Sequence, residues 1–263
     1  MVLLETKDLS AGYENGFVIR GLSLSLEAGE FVAVLGRNGS GKSTLIRAML
    51  GLLGNVAGRV DLGGRDLFRL GRRQVARNIA YVPQLAEPVF EFTAREIVLM
   101  GRYARQARFG GLSGTDARAV EEAARLTGIG DLLDKRAGHL SGGERQRVFI
   151  ARALAQDTPV LFLDEPSLHL DINYQVEIYG ILKSLQKDAG KTILAAEHNI
   201  NLAAAHAGRL IYLKDGGIAL QGSPAETVTA DAVKTIFGAE VDVRPNRRSG
   251  LPEISLVPGS PRR

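Results

Sequence analysis

The chain has 263 residues, 45% of them hydrophobic and 24% charged, which gives enough apolar material for one large domain or two lobes and too little charge for general disorder. Its net charge of +4 is a mild excess, so Arg102, Arg105 and Arg108, and the tail arginines Arg244, Arg247, Arg248, Arg262 and Arg263, read as solvated faces and a loose end rather than a nucleic-acid or lipid patch. Without cysteine there is no disulfide framework or thiolate metal site; with no basic-then-apolar leader and no apolar run long enough for a bilayer, a soluble, cytoplasmic protein is expected, any membrane part belonging to another chain.

The first thirty residues read as short strands, Val18, Leu22, Leu24 and Leu26 roughly alternating before a turn at Ala28-Gly29-Glu30. Phe31-Val32-Ala33-Val34-Leu35 is a continuous β-prone run, the mark of a strand buried on both faces. It leads into Gly36-Arg37-Asn38-Gly39-Ser40-Gly41-Lys42-Ser43, which fits G-x-x-x-x-G-K-[ST], and then into a helix beginning near Lys42. Glycines there let the backbone turn its N–H groups inward at a helix N-terminus, making a nest for phosphate. Lys42 is then placed to neutralise the β- and γ-phosphates and the Ser43 hydroxyl to ligate Mg²⁺. A purely structural turn does not need three glycines with lysine and serine at those positions. Gly36 to Thr44 are therefore expected to bind ATP.

Ile79 to Val82 is a further strand candidate, and Gln84 beyond it offers a neutral amide to Mg²⁺ or to an attacking water. From about Glu91 to Gly138 there are helix formers and charges without a convincing buried strand, which suggests a helical insertion. Ser141-Gly142-Gly143 opens a helix with Val148, Ala151 and Ala155 on one face, presenting a second set of bare N–H groups. Ser141 with Glu144 three residues on is also a capping box, but a cap does not call for two glycines. Val160 to Leu163 forms an apolar strand ending in Asp164 and Glu165, the end at which parallel α/β proteins place their sites. Asp164 suits Mg²⁺, and Glu165 suits a base that polarises water. Ile172, Val176, Tyr179 and Leu182 share one face of a following helix. His198 closes a strand beginning at Thr192 and is placed to hydrogen-bond a γ-phosphate, although a lone histidine there is more often structural. Leu210 to Leu213 is the last strand candidate, and the proline- and arginine-rich residues from Arg244 onward read as irregular. Strands alternating with helices indicate a parallel α/β sheet.

With Leu140-Ser141-Gly142-Gly143-Glu144-Arg145-Gln146 added, the order and spacing of these pieces resembles the nucleotide-binding subunits of ABC transporters over roughly Leu3 to Gly222. The resemblance implies an α/β P-loop NTPase core with a mainly parallel sheet, an N-terminal antiparallel β subdomain and a helical insertion at about residues 91–156. These would form one domain over residues 1–240, with a tail at 241–263. It implies a head-to-tail homodimer in which Ser141, Gly142 and Gly143 of one copy close over the ATP held by the other. By position, Tyr13 would stack on adenine, Gln84 would be the coupling glutamine, Glu165 the catalytic base, Asp171 a dimer contact and His198 the switch histidine; Ser43, Gln84 and Asp164 would hold Mg²⁺. The chain departs from the family pattern at Ser167-Leu168, where Thr-Ser is common, and at Asn199, where an aspartate often follows the histidine.

Within the family, Ile97 to Tyr103, Asp164 to Asp171 with His169, and Asp171-Ile172-Asn173-Tyr174-Gln175 are similar to the subgroup serving iron–siderophore, haem and cobalamin uptake. That implies a peripheral ATPase on the cytoplasmic face of the inner membrane, partnered by permease subunits and indirectly by a substrate-binding protein, with no nucleic-acid contact. The groove receiving the permease would lie at Gln84 to Arg108. The competing readings are a soluble ABC ATPase acting on nucleic acid or the ribosome, an ABC subunit for another substrate class, and a small-molecule kinase. The first usually carries two cassettes or a long coiled-coil insertion, and the last has no use for LSGGERQ.

Overall fold

Strands β1 (Val2–Tyr13) and β2 (Gly16–Glu27) form a long antiparallel pair in the computed structural model, which describes residues 1–14, 16–84, 91–106 and 113–257. They are followed by β3 (Phe31–Gly36), α1 (Lys42–Met49), β4 (Asn55–Leu62) and β5 (Arg65–Asp66). The N-terminal sheet runs β2-β1-β4-β5 and is antiparallel throughout. Its strands are longer than the sequence suggests, and the alternation in β2 slips: Leu22, Leu24 and Leu26 are buried, but Ile19 takes the core position expected for Val18. The cause is a register shift between the Leu9↔Leu22 and Ala11↔Ile19 pairs, beside Gly21 at φ 61°, a left-handed conformation natural to glycine.

The chain divides into two compact units, Met1–Arg69 with Leu194–Arg263, and Leu70–Ile193. The second contains α2 (Arg72–Ala76), β6 (Ile79–Val82), α3 (Ala94–Met100), α4 (Gly114–Thr127), α5 (Gly142–Ala155), β7 (Val160–Asp164) and α6 (Ile172–Asp188). Strands β6 and β7 pair in parallel, from Ile79↔Val160 to Val82↔Leu163. The described residues between 91 and 138 are helical, with an isolated bridge at Thr93↔Arg136, as the composition predicts. Capping boxes at Thr93/Glu96 and Ser113/Asp116 start α3 and α4. Arg102 is a correction to the reading of solvated arginines. It is buried, its Nε donating to Asp116 Oδ1 at 2.8 Å and its Nη1 to the Ala155 carbonyl at 2.7 Å, so it staples the helices together. Arg108 lies outside the described residues, as do Arg262 and Arg263.

Helix α6 also corrects the expected pattern. Tyr179 and Leu182 are buried, whereas Ile172 and Val176 are 77% and 60% exposed. The inward stripe instead passes through Tyr174, Gln175, Ile178, Leu182 and Leu185, because the first turns of α6 lean on α5 and on the preceding loop.

The chain then forms β8 (Thr192–Glu197), α7 (Ile200–His206), β9 (Arg209–Lys214), β10 (Gly217–Gly222), α8 (Pro224–Thr227), α9 (Ala230–Phe237), β11 (Val241–Pro245) and β12 (Pro252–Leu256). In the first unit the order is β10-β9-β3-β8, with β3 and β9 parallel from Val32↔Arg209 to Gly36↔Leu213. Every residue of β3 and β8 is buried, as continuous apolar runs require. The tail departs from expectation: β11 and β12 form a regular hairpin, their register running from Val241↔Leu256 to Pro245↔Pro252. It persists because Asn201 on α7 pins it, accepting from the Ile254 N–H at 2.8 Å and donating to the Ile254 carbonyl at 3.0 Å. The architecture is that of a P-loop NTPase, parallel α/β strands accompanied by an antiparallel N-terminal sheet. No helix among the described residues is long and apolar enough to cross a membrane.

Candidate functional site

The phosphate loop leaves the carboxyl end of β3 and enters α1 at Gly41, whose φ is 102°. No side chain caps α1, so its first-turn N–H groups keep their donor capacity. Glycine at 41 is also a matter of space, since a Cβ there would lie 2.5 Å from Ile19 Cγ2 on β2. Lys42 is buried, and its Nζ donates to the carbonyls of Gly36 at 3.0 Å and Arg37 at 3.4 Å, folding the loop around an ammonium group. The Ser40 hydroxyl is buried without a hydrogen-bond partner, an arrangement that normally costs about 1–3 kcal/mol. Arg37, Asn38 and Gly39 are exposed, Ser43 is half-buried and Thr44 is buried. Beside the loop, Arg37, Ser40, Leu213, Lys214 and Ile236 line a cavity of about 330 Å³. Tyr13 stands 45% exposed at the end of β1, free of the core, its hydroxyl accepting from Arg47 Nη1 of α1 at 3.1 Å.

In the second unit, the sequence-predicted residues at the end of β7 come together with Gln84. Asp164 is fully buried and accepts from the Tyr81 hydroxyl at 3.4 Å. Glu165 is buried and adopts φ 52°, a conformation that costs a non-glycine residue on the order of 1 kcal/mol or more and that clusters at functional sites. Gln84 Nε2 donates to Glu165 Oε2 at 2.5 Å. That bond turns the amide oxygen, a hard ligand atom, away from the carboxylate. The loop after Glu165 is held by Gln175, whose Nε2 donates to the carbonyls of Leu170 at 3.0 Å and Ser167 at 3.3 Å. Asp171 is exposed at the N-cap of α6 and makes no capping bond. Part of the groove expected at Gln84 to Arg108 lies outside the described residues, at 85–90 and 107–108.

Ser141 begins α5 with the capping box that the sequence predicts. Its Oγ accepts from the Glu144 N–H at 3.2 Å, and Glu144 Oε2 accepts from the Ser141 N–H at 2.8 Å. The Ser141 N–H holds the Glu144 carboxyl below its ordinary pKa. The box engages the N–H groups of Ser141 and Glu144 and leaves those of Gly142 and Gly143 as first-turn donors, so cap and anion site are compatible. One of the two glycines has a further reason. A Cβ on Gly143 would lie 2.5 Å from Cγ and Cδ1 of Tyr174, whereas one on Gly142 would meet only Leu170 Cδ2, at 3.8 Å. Sequence reasoning missed this role of Tyr174, although the aromatic stands in a run already singled out.

His198 is half-buried where β8 ends, and its backbone N–H donates to Glu197 Oε2 at 3.1 Å. Asn199 caps α7, its Oδ1 accepting from the Leu202 N–H at 3.1 Å. That is work which asparagine and aspartate do about equally well, so the departure from the aspartate expected at this position leaves the cap intact.

The ABC transporter family pattern matches residues 19–168. The chain is 35% identical to the iron(3+)-hydroxamate import ATP-binding protein FhuC of Bacillus subtilis, covering 95% of this chain and 93% of that one. It is 37% identical to the ferric enterobactin transport ATP-binding protein FepC of Escherichia coli, again covering 95% and 93%. To the cobalamin import ATP-binding protein BtuD of Halobacterium salinarum it is 40% identical over 89% of its length, and there it spans 58% of the relative. Among solved structures, a chain described as an inward-facing metal-chelate type ABC transporter superposes with a TM-score of 0.85 at 25% identity, with 98% of each chain covered. A dimeric bacterial ABC transporter cassette, MJ0796, superposes with a TM-score of 0.75 at 29% identity over 84% of this chain and 98% of that one. Relatives of near-equal length that agree across nine-tenths of both chains, together with a family pattern that runs from β2 through the loop after Glu165, lead to one conclusion: the chain belongs to the ABC transporter family.

Proposed function

We propose that this chain is the ATP-binding and ATP-hydrolysing subunit of a metal-chelate importer, acting as a homodimer on the cytoplasmic face of the membrane beneath a separate permease. The observation that carries the reading is the phosphate loop, with its uncapped α1, its inward Lys42 and its orphaned Ser40 hydroxyl. These fit a nucleotide: phosphate oxygens satisfy both the Ser40 hydroxyl and the first-turn N–H groups, and Lys42 balances their charge. Gly36, Arg37, Asn38, Gly39, Ser40, Gly41 and Thr44 shape that cradle, and the exposed ring of Tyr13 offers a face to adenine.

Mg²⁺ bound with the nucleotide would neutralise charge on the β- and γ-phosphates. Ser43, Gln84 and Asp164 supply the hydroxyl, amide and carboxylate oxygens that such a hard cation takes, alongside substrate phosphates and water. Glu165 takes the proton of the attacking water, with Gln84 orienting its carboxylate. His198 donates to the γ-phosphate. The N–H groups of Gly142 and Gly143 bind the nucleotide held by the second copy, and Asp171, exposed at the start of α6, belongs to the same dimer contact. The substrate class is an iron–siderophore, haem or cobalamin; relatives named for hydroxamate import, enterobactin transport and cobalamin import support its siderophore and cobalamin members.

The test is co-purification and coupled activity. Tagged protein should bring down a polytopic membrane protein, and its ATPase activity should rise in vesicles holding that permease with its binding protein and the chelate. Recovery with ribosomes or DNA and no membrane partner would overturn the reading.

A further inference from the structure

Gly143 and Tyr174 are in closer contact than a packing accident requires. The ring fills the space of a Cβ on Gly143, with Cγ and Cδ1 both 2.5 Å from where that atom would stand. Gly143 has no positive φ, so an alanine there is barred by the ring and not by the backbone. Tyr174 lies in the first turn of α6, next to Gln175, which holds the loop that follows Glu165 through the Ser167 and Leu170 carbonyls. One turn further on, Arg147 Nη1 of α5 meets Glu177 Oε1 of α6 at 2.9 Å. The start of α5 is therefore seated on the start of α6, which is itself fastened to the Glu165 loop.

We propose that Tyr174 is a positioning residue for the anion-binding start of α5: its ring holds the Gly142 and Gly143 N–H groups in register with the loop carrying Glu165. The proposal rests on the reading that those N–H groups contact a nucleotide in the closed dimer. In physical terms, one copy's hydrolytic loop sets the aim of the donors that it presents to the other copy's nucleotide. Tyr174 touches no nucleotide itself. Its effect falls on the step that needs both copies, and not on ATP capture by the phosphate loop.

The experiment uses the full chain with its permease in vesicles, reading ATPase kinetics, and the same substitutions in a Glu165→Gln background, reading the ATP-dependent dimer by size-exclusion chromatography. Tyr174→Ala should lower kcat about 10- to 100-fold, the scale of a misplaced binding group, with KM for ATP within a few-fold of the parent. Tyr174→Phe should retain kcat, because the ring makes the contact. Gly143→Ala should be nearly inactive, and Gly143→Ala with Tyr174→Ala should recover activity over the single variant, since the clash is removed. A double variant no better than Gly143→Ala, or a Tyr174→Ala enzyme with the parent kcat, overturns the positioning role.

Gly142→Asp separates that failure from failure of the underlying reading. A carboxylate in the first turn favours the helix but repels phosphate. If it dimerises with ATP and turns over as the parent does, the nucleotide reading of this helix start falls, and the proposal with it. If dimerisation is lost there and the Gly143 rescue also fails, only Tyr174 is displaced from its role. Melting temperatures within a few degrees of the parent identify variants whose kinetics report the site; for one that unfolds, Tyr174→Phe against Tyr174→Leu gives the same comparison of ring with bulk.

Discussion

Gln84 donates its side-chain amide to the Glu165 carboxylate across 81 residues of sequence, joining the segment after β6 to the end of β7. A carboxylate held by a neutral donor is fixed in its aim. Glu165→Gln retains the shape and an oxygen able to accept from Gln84, but it cannot take a proton. Turnover should fall by about 10²–10⁴-fold while ATP binding persists and a stable dimer accumulates. Phosphate release and nucleotide binding measured side by side check this, and turnover within a few-fold of the parent removes Glu165 from the role.

Lys42→Ala acts at an earlier step. The ammonium that the Gly36 and Arg37 carbonyls fold around would be missing, and with it a charged hydrogen bond to phosphate worth about 1.5–3 kcal/mol. Titration with a fluorescent ATP analogue should show Kd raised by about 10- to 100-fold. An unchanged Kd would mean that the lysine serves only the loop.

The Arg102–Asp116 pair gives the helical insertion an acid sensitivity. The Arg102 hydrogen bond, followed by those from Ser113, lowers the Asp116 pKa to about 2. Because the folded value is depressed, the contribution to stability is full above the ordinary aspartate pKa of about 3.9 and is lost as pH falls through about 2. Asp116→Asn should flatten the acid end of the stability–pH curve. Removing one partner of a pair this buried should also cost about 3–5 kcal/mol near neutrality, read from denaturant melts.

Asn201→Ala should free the C-terminal hairpin while leaving the rest of the fold in place. Two hydrogen bonds to Ile254 are lost, each worth about 1 kcal/mol. Limited trypsin digestion at Arg247–Arg248 should quicken and amide exchange at Ile254 should rise. If both match the parent, packing alone secures the hairpin.

Much of this was legible in the sequence. Continuous apolar runs announced β3, β7 and β8, because strands covered on both faces have no polar side to show. The phosphate loop, the Asp164–Glu165 strand end and the Ser141 cap were readable because each needs particular residue types at fixed spacing. What stayed hidden depends on partners distant in sequence. Periodicity placed Ile172 and Val176 with the core, but only the contacts of Tyr174 and Gln175 fix which way α6 faces. Arg102 reads as one more surface cation until Asp116 and the Ala155 carbonyl surround it. The hairpin at 241–256 carries no strong strand signal, and a single asparagine on α7 secures it. Gly21 slips the register by local backbone geometry that alternation alone does not reveal.

Ile19 leans on Gly41, and the hydroxyl of Tyr13 takes a bond from Arg47, further along α1 from Lys42. The N-terminal sheet is thus a backstop for the phosphate loop as well as the mount for the ring proposed to meet the base. Any substitution that enlarges residue 41, or that lets β2 shift its register at Gly21, would loosen both grips together. Base preference and phosphate affinity should therefore drift in step across variants of this sheet, as they would in a hand whose thumb and palm share one bone.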